Sequence, residues 1–85
     1  MFDIKFSPIS QKELKKLTND LQKRIIKKLK FFATQEYPAI FASPLVNLPP
    51  ATHRFRIGHY RISFFITGQT IFILRIRHRR EIYQG

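Results

Sequence analysis

Eighty-five residues with 44% apolar content make one domain with a single small core, and no run approaches the ~18 apolar residues of a membrane span. There is no cysteine, which excludes disulfides, thiolate chemistry and cysteine metal sites and leaves the cytoplasm as the default compartment. Sixteen Lys and Arg against five Asp and Glu give a net charge of +11, enough to attract nucleic acid, an acidic protein or an anionic membrane.

The first element is FDIKF, residues 2–6, which alternates as a short strand. The acid at Asp3 and the lack of a long apolar block make a signal peptide unexpected here. Ser7-Pro8 then offers an N-cap followed by proline at the first helical position, and Ser10 and Glu13 have capping-box spacing. Leu14, Leu17, Leu21, Ile25, Leu29 and Phe32 recur at helical period. One continuous helix over 8–36 would be ~43 Å long, whereas a domain of this length is only about 30 Å across. Thr18-Asn19-Asp20 supplies cap-type residues at the midpoint, so two helices forming a hairpin are expected.

YPAIFASPLVNLPPAT, residues 37–52, holds four prolines and is expected to be a connecting loop with room for one helical turn. Ile40, Phe41, Leu45 and Leu48 are expected to fasten it to the core. The period then changes to two. Residues 53–57, 60–67 and 70–77 read as strands joined at Gly58-His59 and Thr67-Gly68-Gln69, and such short glycine-containing joints make antiparallel hairpins. A short tail follows. The expected fold is α+β in a single domain, 1–85: an N-terminal strand, a two-helix hairpin, then an antiparallel three-stranded meander (β-α-α-β-β-β), with the helices packed on one face of the sheet.

The basic residues are partitioned by type. All eight lysines and Arg24 lie in residues 1–31, whereas seven arginines and no lysine lie in 53–85. Lysine is a flexible hydrated charge; arginine is a planar fork that matches phosphate oxygens in pairs. Alternation sorts the strand faces. Phe55, Ile57, Tyr60, Ile62, Phe64, Phe72, Leu74 and Ile76 form one set, expected to face the helices. Arg54, Arg56, Arg61, Arg75 and Arg77 form the other, sharing their face with Phe65, Ile71 and Ile73. Arginine on the outer face of a sheet commonly serves only solubility. Five together repel one another, and the span 37–80 contains no acid; an anion bound on that face would relieve the repulsion.

HRFRIGHYRISF (53–64) and IFILRIRHRREIY (71–83) resemble the RelE/ParE superfamily of bacterial toxins, in particular its RelE-like branch. The shared pattern is basic-x-basic-hydrophobic-Gly, then Tyr-Arg-hydrophobic, then a hydrophobic strand ending in His-Arg-x-x-hydrophobic-Tyr. SPISQKELKKL, KRIIKKLKFF and Pro44-Leu45 fit as well, so the likeness covers nearly the whole chain.

The resemblance implies an mRNA interferase: a metal-independent endoribonuclease without cofactor, cutting messenger RNA, often on the ribosome, and held inactive by a cognate antitoxin. It implies catalytic roles for Arg54, Arg56, Arg61, Arg77 and Tyr83. Arg75, His78 and Arg79 are expected to contact RNA. Some relatives carry lysines at the paired basic positions; here both are arginine, which stays charged at any working pH. His78 is the titrating candidate for acid–base work, although strict alternation sends it to the helix-covered face. His53 and His59 are expected at the surface, and the three histidines lack metal-type spacing.

Three alternatives stand beside this reading. The ParE-like branch shares the fold, poisons DNA gyrase and generally lacks the Arg61 and Arg77 constellation. A plain RNA-binding module would need the arginines but not Tyr83. KKLTNDLQKRIIKKLKFF could lie on a membrane surface as a basic amphipathic helix, although strands are available to cover its apolar face. An acidic, amphipathic partner would satisfy both the arginines and the apolar residues between them.

Overall fold

The computed structural model describes residues 1–83, the side chains of Ile82 and Tyr83 excepted. Its elements are β1 (Asp3–Phe6), α1 (Pro8–Lys15), α2 (Asn19–Ala33), a 3₁₀ turn (Pro38–Phe41), β2 (Ser43–Pro44), β3 (His53–Ile57), β4 (Tyr60–Thr67), β5 (Thr70–His78) and α3 (Arg79–Tyr83). The five strands form one sheet in the order β1-β5-β4-β3-β2. β1 runs parallel to β5, and the other neighbours are antiparallel. The fold is the expected α+β layout, with the meander at β3-β4-β5.

Both helices begin as their sequences dictate. Ser7 caps α1 by accepting the Ser10 amide at 3.0 Å, with Pro8 at the first position, and Thr18 caps α2 by accepting from the Leu21 amide at 3.3 Å. The break between them fits the molecular extents of 31 × 31 × 22 Å, which a ~43 Å helix would exceed. Leu14, Ile25, Leu29, Phe32 and Ala33 pack against Phe55, Ile57, Ile62, Phe64, Ile71, Ile73 and Ile76 to form the core. At its centre Phe32, Phe55 and Phe64 stack in a column with successive ring centroids 4.2 Å apart. All eight lysines are exposed, in keeping with a solubilising role. The two hairpins each place glycine first in a two-residue turn, Gly58 at φ 58° and Gly68 at φ 57°, the left-handed position that side chains with a Cβ avoid.

Three details depart from the sequence reading. Ile71 and Ile73 lie in the core, while Phe72 and Leu74 turn outward. The cause is a β-bulge: Ser63 pairs with Arg75 but Phe64 pairs with Ile73, leaving Leu74 as an extra residue in β5. One extra residue inverts the alternation, so buried Ile71 and Ile73 precede the bulge and buried Ile76 follows it. Arg75 and Arg77 therefore keep the outward face. Second, Ile40 and Leu48 are 75% and 59% exposed and do not fasten the loop. Pro38 does, fully buried, while Phe41 stacks on Phe32 at 5.6 Å, and the two-residue strand β2 pairs with β3.

Third, Ser10 and Glu13 do not form a capping box. β1 covers the edge of β5 only as far as Ile73, and α1 satisfies the backbone beyond it. The carbonyl of Ile73 accepts from the Ser7 amide (2.9 Å) and the Ser10 hydroxyl (3.1 Å), and that of Leu74 from the Ser7 hydroxyl (2.9 Å). The Ile76 amide donates to the Glu13 carboxylate at 2.8 Å. The stretch from Ser7 to Glu13 at the start of α1 thus replaces a strand along the bulge, which explains why Ser10 is fully buried.

Candidate nucleic-acid interface

Strand register places the outward arginines in two cross-strand rows. Arg56 lies opposite Arg61, and Arg61 opposite Arg77. One pleat away, Arg54 lies opposite Ser63, and Ser63 opposite Arg75. Directly opposed like charges destabilise a sheet, so three arginines abreast are unfavourable for the fold by itself.

Arg54, Arg61, Arg75 and Arg77 floor a cleft of about 490 Å³ together with Ser63 and Leu74. One wall is the start of α1, with Ser7 and Ile9; the other is the loop from Leu45 through Leu48, Pro49, Pro50 and Ala51. Arg56 shares the face but is exposed at the end of its row, outside the cleft.

Two of the five have carboxylate partners. Glu13 holds Arg75 through Nε (3.2 and 3.3 Å) and Nη2 (2.9 Å). That hydrogen bonding pushes the Arg75 pKa up from its ordinary value, opposed by burial and aided by the charges of Glu13 and Glu81. Arg77 donates through Nη2 to the Glu81 carbonyl at 3.3 Å and lies 3.6 Å from the Glu81 carboxylate. Arg61 donates to the carbonyls of Gly58 and Tyr60, both at 3.2 Å. Among the described residues no ion pair reaches Arg54 or Arg56. The Nε of Arg54 is also buried without a hydrogen-bond partner. A bound anion would satisfy it.

His78 is not brought to this cleft. It follows buried Ile76 on the helix side of the sheet, its ring meets Tyr60 edge-on at 5.3 Å, and its Nδ1 accepts from the Arg80 amide at 3.1 Å. Arg79 is exposed at the start of α3, its amide bonded to the His59 carbonyl at 2.8 Å. His53 is half-buried rather than at the surface, its ring against Phe64 at 5.9 Å, whereas His59 is exposed. Tyr83 ends α3, and its side chain lies outside the described residues. Neither histidine nor carboxylate lines the cleft among the described residues, and no three His, Asp or Glu side chains gather as metal ligands. Among the described residues no helix is long and apolar enough to cross a membrane. The cleft's four guanidiniums can bind and stabilise negative charge.

The family model for the ParE toxin of the type II toxin–antitoxin system parDE matches residues 4–83. The chain belongs to this toxin family. No curated protein matches it. Among solved structures, the toxin–antitoxin complex RelBE2 from Mycobacterium tuberculosis has a chain 25% identical, with a TM-score of 0.75 over 92% of this chain and 98% of that one. The archaeal RelE-RelB complex from Pyrococcus horikoshii gives 20% identity and a TM-score of 0.73 over 92% and 94%. The chromosomal ParDE system of P. aeruginosa gives 16% and 0.69 over 92% and 96%. The last two share the fold with this ParE-family chain. Structures named for both branches of the RelE/ParE superfamily thus resemble it over nearly its full length.

The sequence reading missed Glu13, Ser63, Leu74 and the apolar loop wall. Glu13 was visible as a spacing but resembled a cap. Leu74 was hidden by the bulge, which alternation cannot register.

Proposed function

We propose that this chain is a metal-independent endoribonuclease of the RelE-like kind, cutting messenger RNA on the ribosome and neutralised by a cognate acidic antitoxin. The observation that carries the reading is the pair of cross-strand arginine rows converging on one cleft. They make a preorganised cationic floor that the fold does not need and a phosphodiester does.

Attack by a neighbouring 2′-hydroxyl concentrates negative charge on the phosphorane oxygens. Fixed guanidiniums aimed at developing charge supply the largest catalytic contribution in such sites. Arg61, central in its row, and Arg77 are assigned that stabilisation; Arg54, Arg56 and Arg75 hold flanking phosphates. Tyr83 is assigned to stack on a base or orient the attacking group. Arginine does not serve as a base at neutral pH, so the 2′-hydroxyl proton leaves to water or to a group that the ribosome supplies. The bond from phosphorus to the 5′-oxygen then breaks, that oxygen takes a proton from the same source, and a 2′,3′-cyclic phosphate remains. For the antitoxin, the outward Phe65–Phe72 pair, stacked at 5.2 Å, places apolar surface on the arginine face. An acidic amphipathic segment complements both. The Ile71 and Ile73 side chains, expected to help, are buried instead.

A second reading, a gyrase poison of the ParE kind, is favoured by the family model itself. Expression of the chain in bacteria separates the two. The nuclease reading expects translation to fall before DNA replication, with cleaved messages; gyrase-linked DNA damage appearing first would overturn it.

A further inference from the structure

We propose that the loop wall of the cleft is a subsite for one unstacked nucleobase of single-stranded RNA, beside the phosphate held by the arginine floor. The inference rests on the endoribonuclease reading and deepens it. Leu45, Leu48, Pro49, Pro50 and Ala51 face the cleft, and Leu48 is 59% exposed. The wall is nonetheless held in place. At its ends the Leu45 amide donates to the Thr52 carbonyl at 2.9 Å and the Thr52 amide to the Phe64 carbonyl at 3.0 Å. Within it Asn47 takes the left-handed turn, φ 61°, that asparagine tolerates better than most residues.

The wall therefore stands at a fixed distance from Arg54, which follows Thr52 by two residues. The cleft volume of about 490 Å³ falls within the ~300–1,000 Å³ of small-ligand sites. Its chemistry is segregated as a nucleotide is segregated: guanidiniums on the strands for phosphate, pyrrolidine rings and a leucine on the loop for the face of a base. Neither prolines nor leucine carry side-chain donors or acceptors. The subsite thus grips a base face without reading its edge, and all four bases are accepted there. An acidic peptide without apolar side chains would satisfy the arginines but would leave the proline faces wet.

The test uses the intact protein and two short single-stranded RNAs with 2′-methoxy sugars, which cannot be cleaved. One carries every base and the other has a single abasic sugar at its centre. Removing tens of Å² of apolar surface from water predicts roughly a fivefold preference for the complete strand, nearly equal whichever base stands at the centre. Leu48→Ser, at an exposed position that the fold tolerates, should reduce that preference to under about twofold and leave binding of the abasic strand unchanged.

Equal, salt-sensitive binding of both strands by the wild type would overturn the subsite and leave the RNA reading standing. Full preference retained by Leu48→Ser would also overturn it, since the base would then lie elsewhere. Failure to bind either strand would overturn the RNA reading and the subsite together. A glutamate oligomer of equal charge that binds as tightly as the complete RNA would assign the wall to an acidic peptide instead.

Discussion

Arg54→Met should make the folded protein more stable and its hold on RNA weaker. Arg54 is half-buried in the cleft floor, has no ion-pair partner among the described residues, and carries a buried Nε without a hydrogen bond. A buried polar group left unsatisfied costs about 1–3 kcal/mol. Its other nitrogens reach solvent, so the lower end applies. Methionine keeps an unbranched stem of similar length and removes the orphaned donor. The variant should gain ~1 kcal/mol in a urea titration, or about 4–8 °C in Tm for a domain of this size.

RNA binding should move the other way. One charged contact is worth ~1.5–3 kcal/mol, which is about tenfold or more in Kd. Its loss should also reduce the slope of log K against log salt by ~0.7. Opposite signs in the two assays identify a residue kept for a ligand at the expense of the fold. A variant that unfolds at lower urea yet binds RNA like the wild type would refute the reasoning and make Arg54 a structural residue.

Arg61→Ala and Tyr83→Ala should each slow single-turnover cleavage of messenger RNA on programmed ribosomes at least about a hundredfold, or ~2.7 kcal/mol. Only the arginine variant should also reduce the salt slope of binding; unimpaired cleavage by Tyr83→Ala would remove that residue from the site. Glu13→Ala should destabilise the domain by about 2 kcal/mol, chiefly by orphaning the Ile76 amide, since the Arg75 pair is half-exposed and contributes less. Urea unfolding measures it, and a loss below ~0.5 kcal/mol would mean that water replaces the carboxylate along β5.

The strands, both hairpins and the division of α1 from α2 were legible because each rests on local signals: period, glycine at a turn, a cap. The outward direction of all five arginines was legible for the same reason. What escaped depends on partners distant in sequence. The Leu74 bulge is decided by whether Ile71, Ile73 and Ile76 can all be buried while Arg75 and Arg77 stay wet, a competition that only the packed sheet resolves. Ser10 and Glu13 have the spacing of a cap, and they answer instead to carbonyl and amide groups 63 residues away. The loop wall escaped because hydrophobic residues in a proline-rich loop read as core contacts, whereas Leu48 is apolar and exposed beside the cleft.

The sheet order has a consequence for the time at which this molecule becomes competent. β5 is the last strand among the described residues, yet it lies between β1 and β4 and supplies Arg75 and Arg77 to the floor. Its bulge is fastened to Ser7, 67 residues earlier. A growing polypeptide that stops short of β5 has the helical pair and the β3-β4 hairpin, but it lacks Leu74, Arg75 and Arg77 from the floor and the strand to which β1 and α1 are fastened. Long-range closure of this kind is slow relative to local helix formation. The cleft floor is therefore complete only once β5 has been made and has docked, and a product that ends before it lacks Arg75 and Arg77.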